Sequence, residues 1–261
     1  MNINNKVVVI TGAANGIGAA MARRFAEAGA AGLVLCDIDS DGVLEVAEKL
    51  PTPARKRVAL ACDVAGKDDI NRVVAASLDH FGRIDIFCSN AGVIVTGNES
   101  APDKDWQRAW DINVMSHVHA ANAVLPGMLE RGNGYLLNTV SAAGLLTSPG
   151  AAPYAVSKHA ALAFSEWLSI TYGASGIGVS ALCPQAIRTK MIKDAIASGA
   201  GNAVASGGEM LSPDQVALQA LEGIEAERFL ILSHPETQRY VEAKARNIEG
   251  WLSGMRKFIA S

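Results

Sequence analysis

The chain has 261 residues, 49% hydrophobic and 19% charged, enough apolar side chains for a sizeable buried core. Its net charge of −3, with no long block of like charge, argues against nucleic acid as the main partner. No apolar run reaches the roughly 20 residues of a membrane span, and the opening MNINNKVVVITGAANG lacks the pattern of a signal peptide, so a cytoplasmic protein with no membrane partner is expected.

The first element reads as a strand: KVVVIT (6–11) is β-branched and bounded by glycine. GIGAAMARRFAEAG follows with helical spacing, and Gly29 supplies a C-terminal stop. GLVLCD (32–37) is a second strand, and a helix is expected near 41–50. RVALACDV (57–64) and IDIFCSNAG (84–92) are the third and fourth strands, ahead of a long helical region at 103–130. GYLLNTVS (134–141) is the fifth. A helix begins at Pro153, a residue suited to a first turn, and continues to about Tyr172. GVSALCP (178–184) and RFLILS (228–233) complete the strands. This alternation specifies a parallel sheet covered by helices on both faces.

No linker or internal repeat divides the chain, so residues 1–261 are expected to form one domain. Residues 190–211 are rich in Gly, Ala and Ser and follow the end of a strand, where ligands bind in such sheets; they read as a substrate lid. Residues 235–259 read as a C-terminal helical segment. Within it Ile248, Trp251, Leu252, Met255, Phe258 and Ile259 form one apolar stripe, weakened locally by Gly250 and Gly254.

TGAANGIG (11–18) joins the first strand to the first helix. Such a turn aims free N–H groups at one point, where the helix dipole favours negative charge. Gly12, Gly16 and Gly18 let the backbone approach a pyrophosphate without an intervening Cβ. The spacing is GxxxGxG, and no Gly-Lys-Ser/Thr follows, which argues against a phosphate-transferring loop. Asp37 ends the second strand about 20 residues further on, where an acid can bind a ribose 2′-hydroxyl. A turn-forming role for Asp37 in DIDSDG competes with this, but the two features in register favour a dinucleotide. The expected fold is α/β, a Rossmann-like doubly wound sheet of about seven mainly parallel strands.

With these motifs in order, the chain resembles a short-chain dehydrogenase/reductase of the single-domain type, from about residue 6 to residue 189. TGAANGIG matches that family's cofactor loop, with Asn15 and Ile17 inside it. CDV places Asp63 and Val64 where members contact adenine. SNAG matches NNAG, with Ser89 for the first Asn and Asn90, Ala91 and Gly92 retained. Asn113 matches the helix asparagine. Ser141 and YAVSK match the catalytic serine and the YxxxK pair, Tyr154 and Lys158. PQAIRT matches PGxxxT through Pro184, Ile187 and Thr189, with Gln185 where glycine is usual. If that site needs φ > 0, Gln185 is strained; if not, its amide reaches the substrate site or solvent. The end of the chain also departs from the family pattern.

A free tyrosine has a pKa near 10, too high for efficient acid–base work at neutral pH. Lys158, one helical turn on, is expected to lower it. Tyr154 then exchanges a proton with an alcohol or ketone while hydride moves at the cofactor. Ser141 fixes the substrate oxygen. The resemblance implies that Lys158 also holds the nicotinamide ribose and that Asn113 relays protons to water. Asp37 and the uncharged Asn15 point to NAD (NADH) rather than NADP. The expected activity is an NAD-dependent alcohol dehydrogenase or carbonyl reductase. Alternatives are a non-catalytic dinucleotide-binding regulator, or an epimerase or dehydratase on the same fold.

Substrate-side candidates are Val93, Ile94, Val95, Ala143, Leu145, Leu146, Gln185, Ile187 and Met191. They are mostly apolar, so a hydrophobic small-molecule ketone or secondary alcohol is expected. No metal site is expected: His117 and His119 point to different faces, and Cys36, Cys62, Cys88 and Cys183 read as buried thiols. Trp106 and Trp110 read as helix packing. The resemblance favours a homodimer or homotetramer, commonly joined through the helices near 103–130 and 153–172, with the C-terminal stripe at or near a subunit contact.

Overall fold

The computed structural model describes residues 1–189 and 210–260. The element order is β1 (Val7–Thr11), α1 (Gly16–Glu27), β2 (Gly32–Asp37), α2 (Ser40–Glu48), β3 (Arg57–Ala61), α3 (Lys67–Phe81) and β4 (Ile86–Ser89). Then come α4 (Asp103–Trp110), a π-helical turn (Asp111–Met115), α5 (Ser116–Glu130), β5 (Gly134–Thr139), α6 (Ala143–Leu146), α7 (Ala152–Tyr172) and β6 (Ile177–Cys183). The chain finishes with α8 (Pro213–Glu225), β7 (Leu230–Leu232), α9 (Pro235–Arg246) and α10 (Ile248–Ala260).

The strands form one seven-stranded sheet in the order β3-β2-β1-β4-β5-β6-β7. Every pairing is parallel. Alternation along each strand divides the core. Val8, Ile10, Leu33 and Leu35 face α1, α2 and α8, whereas Val9, Val34 and Cys36 face α3, α5 and α7. Covering both faces accounts for the nearly unbroken apolar runs of β1 and β2. The order reverses between β1 and β4, where connections leave in opposite directions and open a crevice at the strands' C-terminal ends.

Local chemistry sets the helix ends. Gly29, at φ 86°, follows the cap of α1 in the left-handed conformation that only glycine adopts freely. Ser212 and Gln215 form a reciprocal capping box at the start of α8, with Pro213 in its first turn. The expected helical region at 103–130 is present but broken in the middle by the π turn, which contains Asn113. Such turns often mark functional sites.

Residues 190–209, with Met191 and most of the expected lid, lie outside the described residues. No helix among the described residues is long and apolar enough to cross a membrane.

Candidate active site

A cleft of about 310 Å³ crosses the C-terminal ends of the strands. Its floor begins at the glycine turn. Gly12 (φ 66°) and Gly16 (φ 56°) are both left-handed, and a Cβ on Gly12 would lie 2.8 Å from the Ala91 Cα. Only glycine allows the turn to press this closely on the loop after β4. Gly18 acts differently: a Cβ there would stand 2.1 Å from the Gly12 carbonyl oxygen, so it lets α1 start against the turn without lining the cleft. The N-cap Asn15 makes no side-chain cap, and the first turn of α1 carries no acid. Its N–H groups and dipole suit an anion.

Asn90 knits the strand ends together. Its Nδ2 donates to the carbonyls of Thr11 (3.0 Å) and Gly12 (3.2 Å), and its Oδ1 accepts from the Thr139 hydroxyl (3.1 Å). At one end of the cleft stand Asp37, Ile38, Cys62, Asp63 and Val64. The Asp37 carboxylate accepts from Ala14 N (2.9 Å) and Asp39 N (3.0 Å), which fixes both oxygens beside the turn.

At the other end are Thr139, Ser141, Tyr154, Lys158, Pro184, Gln185, Ile187 and Thr189. Tyr154 lies in the first turn of α7, after Pro153, and Lys158 one turn later. Lys158 is only 3% exposed, which removes the reading of a surface lysine. Its Nζ donates to the Thr139 carbonyl at 2.9 Å and lies 6.0 Å from the centre of the Tyr154 ring. Burial pushes the ammonium down to about 8, so it stays mostly charged at neutral pH. The half-buried Tyr154 phenol is pushed above its ordinary value by loss of solvent, with the Ser141 hydroxyl opposing that rise. This corrects the expectation that Lys158 lowers it: in the protein alone, loss of solvent is the largest influence and the Ser141 hydroxyl, not the cation, is what opposes it.

Ser141 Oγ accepts from Ala143 N (3.1 Å) and approaches the Pro184 carbonyl at 3.4 Å. Further along this loop Thr147 sits at φ 79°, ψ 163°. A β-branched residue rarely adopts such a conformation, which costs about 1–3 kcal/mol and persists only where surrounding contacts hold it.

Asn113 is completely buried behind the cleft wall. Its Oδ1 accepts from Val93 N (2.9 Å), and its Nδ2 donates to the Val93 carbonyl and the Ser157 hydroxyl, each at 3.0 Å. A Cβ on Gly92 would lie 3.2 Å from the Asn113 Oδ1 and 3.4 Å from the Lys158 Nζ, so glycine lets both groups close in on that backbone. One turn after Asn113, His117 is 1% exposed, and neither ring nitrogen has a hydrogen-bond partner. The Asn138 amide stands beside it without reaching hydrogen-bond geometry. Burial pushes the imidazole down to about 4, reinforced by the Lys158 charge and opposed by Asn138.

The cleft thus gathers Gly12, Asn15, Gly16, Ile17, Asp37, Asp63, Val64, Asn90, Ala91, Gly92, Val93, Ser141, Tyr154, Lys158, Pro184, Gln185, Ile187 and Thr189. Six sequence candidates stand off its wall: Gly18, Val95, Asn113, Ala143, Leu145 and Leu146. Ala143 is buried, and Leu145 packs against a small core with Val140 and Ala161. Gln185 is not left-handed, so it carries no backbone strain. Its amide nitrogen donates to the Thr237 hydroxyl of α9 at 2.6 Å, a destination that was neither of the two expected.

Sequence reasoning missed Ile38, Cys62, Arg108, Ile112, Thr139 and Val140 on the wall. Arg108 and Ile112, four residues apart beside Asn113, share a helical face that could have pointed to them. Trp110 is 42% exposed, so it is not a buried packing residue. All four cysteines are buried free thiols. Among the described residues, no group of three or more His, Cys, Asp or Glu side chains is placed to hold a metal.

A family model described as short chain dehydrogenase matches residues 6–198. Among curated proteins, the chain is 33% identical to 1-deoxy-11-beta-hydroxypentalenate dehydrogenase of Streptomyces exfoliatus, over 91% of this chain and 86% of that one. It is 35% identical to meso-2,3-butanediol dehydrogenase of Serratia marcescens, over 73% and 75% respectively. A solved neighbour is a short chain dehydrogenase/reductase from Burkholderia phymatum in complex with NAD. It superposes with a TM-score of 0.87 at 29% identity, covering 95% of this chain and 96% of that one.

Proposed function

The chain belongs to the short chain dehydrogenase family, and from that premise we infer that it is an oxidoreductase moving hydride between NAD(H) and a secondary alcohol or ketone. The observation that carries the reading is the convergence of Ser141, Tyr154 and Lys158 on one cleft whose floor is the glycine turn.

The residues fit such a cofactor. The left-handed Gly12 and Gly16, with Asn15 and Ile17 at the start of α1, suit the pyrophosphate. Asp37 would accept the adenosine ribose hydroxyls, and Asp63 and Val64 would flank the adenine. Asn90, Ala91 and Gly92 form the middle of the floor. Pro184, Ile187 and Thr189 would enclose the nicotinamide, which when bound supplies or accepts the hydride. The Burkholderia neighbour was solved with NAD, in agreement with Asp37.

Tyr154 gives its phenolic proton to the ketone oxygen during reduction and takes it back from the alcohol during oxidation. Burial keeps that phenol protonated at neutral pH, the form a proton donor needs. Ser141 is held by Ala143 N, and its hydroxyl is free to turn from the distant Pro184 carbonyl to the substrate oxygen. Lys158 has one ammonium proton on Thr139 and the others for a ribose and the relay toward Asn113. Val93, Ile94 and Ile187 make the substrate side apolar, which favours a hydrophobic substrate. Neither the regulator nor the epimerase and dehydratase alternatives gain a feature of their own.

We also propose a homodimer or homotetramer. Val156, Trp167 and Ile170 are exposed on α7, and Trp110 on α4. Ile248, Leu252, Phe258 and Ile259 are exposed on α10. A cytoplasmic setting agrees with the four free thiols.

The direct test is a scan of ketones with NADH and of secondary alcohols with NAD, following reduced-cofactor absorbance. Turnover with at least one pair is expected. Tight NADH binding without turnover on any member would contradict the reading.

A further inference from the structure

Two loops flank the catalytic end of the cleft, one after β5 carrying Ser141 and one after β6 carrying Pro184 and Gln185. They meet directly, because Ala142 N donates to the Pro184 carbonyl at 2.9 Å and Ser141 Oγ approaches the same oxygen. Each is also tied to α9. At the start of that helix, Gln185 Nε2 donates to Thr237 Oγ1 at 2.6 Å, and Gln185 N donates to His234 Nδ1 at 3.3 Å. Near its other end, Lys244 Nζ donates to the Leu145 carbonyl at 2.5 Å.

These contacts close a ring: Ser141 to Pro184, Gln185 to Thr237, along α9 to Lys244, and through Leu145 back to Ser141. Thr237 is completely buried, so the Gln185 end is anchored in the protein interior. Thr147, left-handed and only two residues beyond Leu145, needs outside contacts to keep its conformation, and the Lys244 tie lies next to it. The backbone at 185 does not require glycine, and the side chain that stands there reaches across to a helix 52 residues later in the chain.

We propose that α9 is a clasp holding the Ser141 loop in register with Tyr154, and that Gln185 and Thr237 are its positioning pair. The inference rests on the oxidoreductase reading above. Gln185 touches the cleft, but its amide acts through α9 on Ser141. Loosening the clasp disturbs the carbonyl's alignment with the proton donor and leaves the glycine turn and Asp37, at the far end, untouched.

The test compares Thr237→Val, which removes the hydroxyl at nearly constant volume, with Thr237→Ser, which keeps it. For Thr237→Val, kcat for ketone reduction should fall about tenfold, a fraction of what a misplaced catalytic group can cost. NADH Kd, read by fluorescence without substrate, should change far less than kcat, because the glycine turn and Asp37 are untouched, and Thr237→Ser should recover kcat. Hydrogen exchange should quicken at 141–147 and 184–189. Lys244→Met, at the half-buried end, should lower kcat in the same way if Thr237→Val folds poorly. Parent kcat in Thr237→Val, or equal impairment in Thr237→Ser, overturns the clasp. A parent protein with no NADH-coupled turnover would instead remove the oxidoreductase reading, and the exchange data would still decide whether α9 holds both loops.

Discussion

The Lys158 ammonium lies 6.0 Å from the centre of the Tyr154 ring and donates to the Thr139 carbonyl. The pair is set by i, i+4 spacing on α7, but the charge is directed to a backbone oxygen rather than to the phenol. Burial therefore governs Tyr154 and raises its pKa, and the Ser141 hydroxyl is the group that lowers it.

The sign of the pH dependence follows. Ketone reduction needs the phenol, so its kcat/KM should hold through neutral pH and fall on the alkaline side. Alcohol oxidation needs the phenolate, so its kcat/KM should climb with pH. Removing the Ser141 hydroxyl in Ser141→Ala should move both limbs to higher pH while slowing turnover. Profiles of kcat/KM against pH check this; an unmoved or lowered midpoint in the variant would contradict the assignment.

Asp37 predicts cofactor choice. Its carboxylate is fixed beside the glycine turn by Ala14 N and Asp39 N and would face a 2′-phosphate directly. Setting like charges together costs several kcal/mol. Preference for NAD over NADP should therefore reach about 10²-fold in kcat/KM, near 3 kcal/mol. Asp37→Ala should erase most of it. A parent preference for NADP, or an unchanged ratio in the variant, would remove Asp37 from that role.

His117 predicts an acid sensitivity. Its folded-state pKa is depressed from 6.5 to about 4, so between these values the unfolded chain binds the extra proton. The stability this group supports is complete above about pH 6.5 and is lost as pH falls toward 4, by about 3 kcal/mol in all. His117→Leu removes two unpartnered nitrogens and should be no less stable at pH 7. Urea unfolding at pH 7 and at about pH 4 should show a smaller acid loss in the variant. Equal losses in the two proteins would count against it.

Ile170 is 83% exposed on α7, so a charge there is tolerated by the isolated fold. Light scattering should find an oligomer for the parent and a smaller species for Ile170→Asp. A chain ending at Glu249 tests whether the α10 stripe contributes. A parent monomer at micromolar concentration would refute the assembly.

Much of this was legible in the sequence because it depends on local chemistry. The apolar runs located all seven strands, and Gly12 and Gly16 were readable because a close turn leaves no room for a Cβ. The α3 and α8 helices were absent from that reading, although Ser212, Pro213 and Gln215 spelled out a start signal for α8. The π turn was not readable, since its irregular bonding leaves no mark in residue spacing. Nor were the burial that reverses the expected effect on Tyr154 and the bond from Gln185 to Thr237. Both depend on which distant segments the fold brings together.

The central claim is that Tyr154 transfers the proton that accompanies hydride transfer. Stopped-flow consumption of NADH by a ketone found in the substrate scan, in the parent and in Tyr154→Phe, tests it most directly. The variant removes one hydroxyl, and NADH Kd should be nearly unchanged. Turnover should fall by about 10²–10⁴-fold, the usual cost of losing an acid–base group. A variant that consumes NADH at the parent rate would contradict the account.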